Sequence, residues 1–166
     1  MIEIKKIIIN KKNILNILLI ASIFLVDRFS KIKIINHILD SNSSIYVNDY
    51  LNLDLVWNTG IGFGLFDFDS GKFYHLITII IFFVILLLIF FIIKSKGFDK
   101  FLYSMILGGA LGNFYDRVLY FSVPDFIDFH ISSYHWFTFN IADIFISVGV
   151  VLILTKEFFF KKNENN

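Results

Sequence analysis

The chain contains no cysteine. That excludes disulfides, thiol nucleophiles, iron–sulfur clusters and the usual cysteine-built structural zinc sites, and it excludes lipid attachment to a cysteine of the chain itself. It has almost no net charge: 15 basic residues against 14 acidic ones leave +1, which gives no electrostatic reason to expect a nucleic-acid partner. No small-residue cleavage site follows the N-terminal apolar run "IFLVDR", so this run reads as a retained anchor rather than a removed signal peptide. No internal repeat is found.

What is abundant is apolar. Hydrophobic residues make up 57% of the chain, 22 of the 166 residues are phenylalanine, and the mean hydropathy is +0.72. That is too apolar for a soluble domain with a polar surface, so the class is an integral membrane protein. The length suits one domain, 1–166. A helix needs about 20 apolar residues to cross a bilayer. Four segments qualify: 13–32, 73–93, 101–120 and 136–155. The second carries no charge. The expected architecture is all-α, a bundle of four transmembrane helices, with a small sheet on its outer surface.

Basic residues orient the spans. Lys5, Lys6, Lys11, Lys12, Lys94, Lys96, Lys100, Lys156, Lys161 and Lys162 fall on one side; Arg28, Lys31, Lys33, Lys72 and Arg117 fall on the other. Ten against five predicts that both termini are cytoplasmic and that segments 27–72 and 117–138 face outward. In the first of these, "LNLDLVWN" (51–58) alternates, with Leu51, Leu53, Leu55 and Trp57 on one face, and reads as a half-buried strand. "NTGIGFGLF" (58–66), with three glycines in five residues, reads as a turn or a second, irregular strand. The outer β-rich segment is thus expected at about 45–70. The tail "KKNENN" reads as a polar end.

With this topology the polar residues collect at one depth. Asp27 closes the first span; Asn113, Asp116 and Arg117 close the third; Asp125 lies in the second outward segment; Asn140 and Asp143 open the fourth. An ionised carboxylate near hydrocarbon costs at least a few kcal/mol, which makes it a functional hypothesis by default. Helical spacing puts Asn113, Asp116 and Arg117 on one face, does the same for Asn140 and Asp143, and lets Asp27 pair with Lys31. Gly108 and Gly112 allow another helix to approach the third span closely. Two converging carboxylates would share one proton. The ionised member then takes a proton from water while the protonated one polarises a carbonyl, the logic of aspartic peptidases. On the residues alone, Asp116 and Asp128 compete with Asp125 and Asp143 for these places. Structural readings also stand: an ion pair for Asp27 and Lys31, an interfacial anchor for Asp116 and Arg117, a turn for Asn58. His130 and His135, five apart, do not share a helical face, so no metal site is expected.

The blocks "DRFSK" (27–31), "NTGIGFGLF" (58–66), "GGALGNFYDRVLYFSVPDFIDF" (108–129) and "FNIAD" (139–143) resemble, in order and spacing, those of bacterial lipoprotein signal peptidase, also called signal peptidase II. The resemblance implies an intramembrane aspartic peptidase of four spans with an extracytoplasmic β-cradle. Such enzymes sit in the bacterial cytoplasmic (inner) membrane with the site near the outer leaflet. They cut the signal peptide from diacylglyceryl-modified prolipoproteins just before the lipidated cysteine. By motif, the catalytic dyad falls on Asp125 and Asp143. Supporting positions fall on Asn113, Asp116, Arg117 and Asn140, and positions near substrate or in the polar framework on Asn58, Asp27 and Lys31. No metal or other cofactor is implied. The expected partners are lipid-modified prolipoproteins and membrane lipid, not nucleic acid, and the expected state is a monomer. Three departures stand out: Val123-Pro124 where the family has Val-Val, Ile61-Gly62 after "NTG", and Arg28 where glutamine is common. The proline holds Val123 extended and stiffens the approach to Asp125. A proton-coupled transporter, the rival class, calls for inverted repeats and a mid-span carboxylate; the acids here cluster near one surface.

Overall fold

The computed structural model describes residues 11–60 and 71–164. In chain order the elements are α1 (Lys11–Ser41), β1 (Ile45–Asn48), β2 (Leu51–Asn58), α2 (Gly71–Lys94), α3 (Gly97–Tyr120), β3 (Val123–Ile131), β4 (Tyr134–Phe139) and α4 (Ile141–Glu164). Four helices carry a four-stranded antiparallel sheet of order β1-β2-β3-β4. Two of the helices contain stretches long and apolar enough to cross a membrane, Asn13–Ser41 and Tyr74–Lys94. The other two carry charges at their ends or along their length. Most of "NTGIGFGLF" lies outside the described residues.

α3 is the central helix. Ile106, Leu107 and Ala110 pack on Ile85 and Leu88 of α2, and Leu102 and Met105 pack with Ile23 of α1. Small residues make the close contacts. A Cβ at Gly109 would lie 2.6 Å from the carbonyl oxygen of Ala142, and one at Gly112 would lie 2.5 Å from Asp27 Oδ2. Outward-facing side chains such as Ile79, Phe83, Leu87 and Ile93 of α2 are exposed.

The helix limits differ from those expected. α1 runs nine residues past position 32, because Ile34 and Ile38 on its last turns cover the sheet core of Phe126, Ile127, Leu51 and Leu53. The fourth helix starts at Ile141, not at 136; residues 136–139 belong to β4. The sheet is also larger than the expected 45–70 segment, since β3 and β4 supply half of it. β3, "VPDFIDFHI", is buried on both faces and has no alternation to announce a strand.

Two bulges set which side chains meet. Leu51 and Leu53 pair with Phe129 and Ile127, but the register slips before Val56 pairs with Asp125 and Asn58 with Val123. The extra residue flips the phase of β2. Asn58 therefore lies on the face of Leu51 and Leu53, together with Asp125, and Trp57 turns to the other face. Simple alternation had assigned Trp57 and Asn58 the other way round. The second bulge lies between the pairs Phe129–Phe137 and His130–His135. It puts His135 on the face of Asp128 and His130.

Candidate active site

"FNIAD" folds as a helix start rather than as one helical face. Asn140 precedes α4 and caps it: its Oδ1 accepts from the Asp143 amide at 3.0 Å, and Asp143 Oδ2 accepts from the Asn140 amide at 3.2 Å. This is a reciprocal capping box with asparagine and aspartate in its two places. It fixes the Asp143 carboxylate at the first turn of the helix.

Three asparagine amides then face two carboxylates, and each orientation is forced by a group that can only donate. Asn113 Oδ1 accepts from the Lys31 ammonium at 2.8 Å, so its Nδ2 donates to Asp143 Oδ1 at 2.7 Å. Asn140 Oδ1 is taken by the Asp143 amide, so its Nδ2 donates to Asp125 Oδ1 at 2.5 Å. Asn58 Oδ1 is taken by the Gly60 amide at 2.9 Å, so its Nδ2 donates to Asp125 Oδ2 at 2.8 Å. Every oxygen of Asp125 and Asp143 thus accepts one placed hydrogen bond. Both carboxylates line a cavity of about 370 Å³ with Asn58, Asn113 and Arg117, walled by Ile81, Val84 and Ile146.

Behind Asn113 lies a buried ion cluster. Lys31 Nζ donates to Asp27 Oδ2 and Asp116 Oδ2, both at 2.7 Å, as well as to Asn113, which uses its three protons. Asp27 Oδ1 accepts from the Ala142 amide at 2.9 Å and so ties α1 to the first turn of α4. Arg28 closes the cluster on Asp116. Asp27, Lys31 and Asp116 have no exposed surface. The glycine contact belongs to this cluster, because the Asp27 carboxylate cannot retreat without releasing Lys31 or Ala142. Gly112→Ala is therefore expected to cost about 1–3 kcal/mol, as overpacking does, and to lower the thermal midpoint of the detergent-solubilised protein; an unchanged midpoint would contradict the contact.

Asn113 links its two neighbours on α3: it shares Lys31 with Asp116 and lines the cavity with Arg117. Asp116 turns to α1. Arg117 turns into the cavity, where one Nη donates to the Gly60 carbonyl and the guanidinium lies 5.7 Å from the ring centre of Tyr74. Its Nε and other Nη are buried without a hydrogen-bond partner among the described residues. Asp128 lies on the opposite face of β3 from Asp125 and bonds His135. Of the four competing carboxylates, Asp125 and Asp143 are the two that line the cavity.

Asp125 is pushed up to about 7, first by burial and then by the charge of Asp143; the amides of Asn58 and Asn140 and the Lys31 ammonium oppose the rise. It is held by the sheet, on the second residue after β3 begins, directly beyond Pro124.

Sequence reasoning missed Arg28 as a partner of Asp116, Tyr74 as a donor to the Arg117 carbonyl, and the Gly60 backbone as a partner of both Asn58 and Arg117. These contacts join elements far apart in the chain. Only the unusual arginine after Asp27 signalled one of them.

A family profile described as Signal peptidase (SPase) II matches residues 19–159. A protein of Pelagibacter ubique named lipoprotein signal peptidase is 44% identical over 160 residues, covering 95% of this chain and 96% of its own. Another of that name from Francisella tularensis subsp. novicida is 40% identical over 153 residues, covering 90% and 92%. A solved structure described as a bacterial membrane enzyme, determined by the in meso method at 2.3 Å resolution, superposes with a TM-score of 0.69 at 34% identity, covering 91% of this chain and 90% of that one.

Proposed function

The chain belongs to the signal peptidase II family, and from that premise we propose that it is an intramembrane aspartic endopeptidase that removes the signal peptide from diacylglyceryl-modified prolipoproteins, cutting before the lipidated cysteine. The observation that carries the reading is the set of three amides, locked by obligate donors, that hold Asp125 and Asp143 in one cavity. In the proposed mechanism the pair shares one proton. The ionised carboxylate takes a proton from the attacking water while the protonated one donates to the scissile carbonyl. Arg117, with two buried donors that have no partner among the described residues, stabilises the oxygen on which charge develops. Asn58, Asn113 and Asn140 aim the carboxylates. Asp27, Lys31 and Asp116 hold Asn113 and the start of α4.

We place all four helices across the bacterial inner membrane as one domain, 1–166, acting as a monomer, with both termini cytoplasmic and the cavity near the outer leaflet. The charge count supports this more strongly than a tally suggests. Of the five basic residues on the outer side, Arg28, Lys31 and Arg117 are buried. They are committed to the polar cluster or the cavity rather than to the interface.

Incubation of the purified protein with a lipidated precursor tests the proposal. The expected product begins at the lipid-modified cysteine; an uncut precursor, or one cut elsewhere, would overturn it. The pH profile is a second check. With Asp125 near 7, the pair keeps its shared proton below that pH and loses it above, so cleavage is expected to fall on the alkaline side of about 7. Stability follows the same sign. A carboxylate raised above its unfolded value of about 3.9 favours the folded state most at low pH, and this contribution is lost as pH rises towards 7.

A further inference from the structure

The sheet carries a second cluster of chemistry on the face turned away from Asp125. Asp128 and His130 stand two apart on β3, and the bulge in β4 brings His135 level with them. His135 Nδ1 lies 2.8 Å and His130 Nδ1 3.5 Å from the same carboxylate oxygen, Asp128 Oδ2. The donor atoms of all three residues fall within 4.8 Å of one another. The expectation that His130 and His135 form no metal site rested on helical spacing. They are instead cross-strand partners, their rings stacked with centres 5.1 Å apart.

We propose that Asp128, His130 and His135 bind a first-row divalent cation, with Zn²⁺ as the representative ion, which staples the β3–β4 hairpin and takes no part in cleavage. Two imidazoles and one carboxylate are a donor set that such ions accept, with the remaining positions open to water. Ligand bonds of about 2.0–2.2 Å separate the donors of a tetrahedral ion by about 3.3–3.6 Å. Asp128 and His130 already stand at that spacing. His135, whose side chain is 58% exposed, has room to swing to the same spacing from both of them.

An independent observation points the same way. His130 is 7% exposed, yet its Nδ1 has no hydrogen-bond partner among the described residues. Asn52 of β2, paired with Asp128 of β3, also has a buried oxygen without a partner among the described residues. A buried acceptor left bare is costly.

The test uses the full-length protein in detergent, stripped of metal, titrated with ZnCl₂ by calorimetry and by thermal unfolding. One zinc per chain and a raised midpoint are expected. His135→Ala should weaken zinc binding by more than about 10-fold, since losing a ligand costs at least as much as losing a ligand's supporting partner. His135→Gln keeps a donor for Asp128 without an imidazole lone pair, and should weaken zinc binding equally while unfolding like the parent in the absence of metal. His37→Ala and His75→Ala, at histidines outside the cluster, should leave the titration unchanged. No zinc response in the parent chain, or an undiminished one in both His135 variants, would overturn the site and leave Asp128 and His135 as a plain hydrogen-bonded pair. Peptidase activity lost with the metal would overturn the structural role.

Discussion

Asp143→Asn and Asp125→Asn are each expected to fold and to cut a lipidated precursor about 10²–10⁴-fold more slowly than the parent chain. The folding half of this expectation rests on the hydrogen bonds. Asp143 accepts from the Asn140 amide and from Asn113 Nδ2. An amide side chain keeps one of its two oxygens, and that oxygen can stay on the Asn140 backbone, so the capping box survives. Its new NH₂ group then faces another donor, because Lys31 holds Asn113 in its orientation. The change loses one hydrogen bond and leaves two amide donors facing each other, a cost of about 1–3 kcal/mol. The catalytic half follows from the shared proton, since neither amide can exchange one. If the pair works as a unit, the double variant should be no slower than either single one, because the second change removes nothing that the first left working. Losses that multiply would show two independent contributions and sink the dyad. Thermal unfolding adds a control. Asp125→Asn no longer carries the raised carboxyl, so its midpoint should gain on the parent as pH rises from about 4 to about 7.

How much of this was legible beforehand depended on range. Apolar runs that depend on composition alone located the helices, and the i, i+4 spacing of Asp27 and Lys31 anticipated a pair that the structure closes at 2.7 Å. The limits of α1 and α4 were not legible, because they are set by what the sheet needs: Ile34 and Ile38 extend one helix to cover it, and β4 takes the residues expected to begin the other. Asn140 and Asp143 were seen as neighbours, but the spacing of three fits a cap as well as a helical face, and only the Asn140 backbone decides between them. The sheet was hardest to read. β3 has no alternation, and a bulge leaves no mark in either strand's pattern. Yet one bulge puts Asn58 beside Asp125 and the other puts His135 beside His130. Long-range pairing chose the faces, and local periodicity could not.

Lys31→Met is expected to destabilise the protein by about 3–5 kcal/mol, the cost of leaving buried charges without their partner. The ammonium is fully buried and is shared by Asp27, Asp116 and Asn113. Methionine fills much the same volume but donates nothing. Asp116 keeps Arg28, and Asp27 keeps the Ala142 amide, so the cluster is weakened rather than dissolved. For a chain of this length the loss corresponds to about 2–4 °C of thermal midpoint per kcal/mol. Lys156→Met is the comparison. Its partner Asp99 is 40% exposed and its own side chain 33%, so water screens the pair and the change should stay within about 1 kcal/mol. Equal effects of the two substitutions would mean that burial does not govern the cluster. Adding Asp27→Asn to Lys31→Met removes one of the stranded charges, so the double variant should unfold later than the sum of the single losses predicts. Cleavage should drop as well, although Lys31 is outside the cavity lining. Without the ammonium, Asn113 is free to turn its oxygen towards Asp143, and the carboxylate loses the donor that aims it. Asn113→Asp would put a carboxylate in that position in a chain whose Lys31 is intact. If the role of Lys31 is to orient Asn113, this variant should keep the buried pairs and still lose cleavage, separating the aim of Asp143 from the stability of the fold.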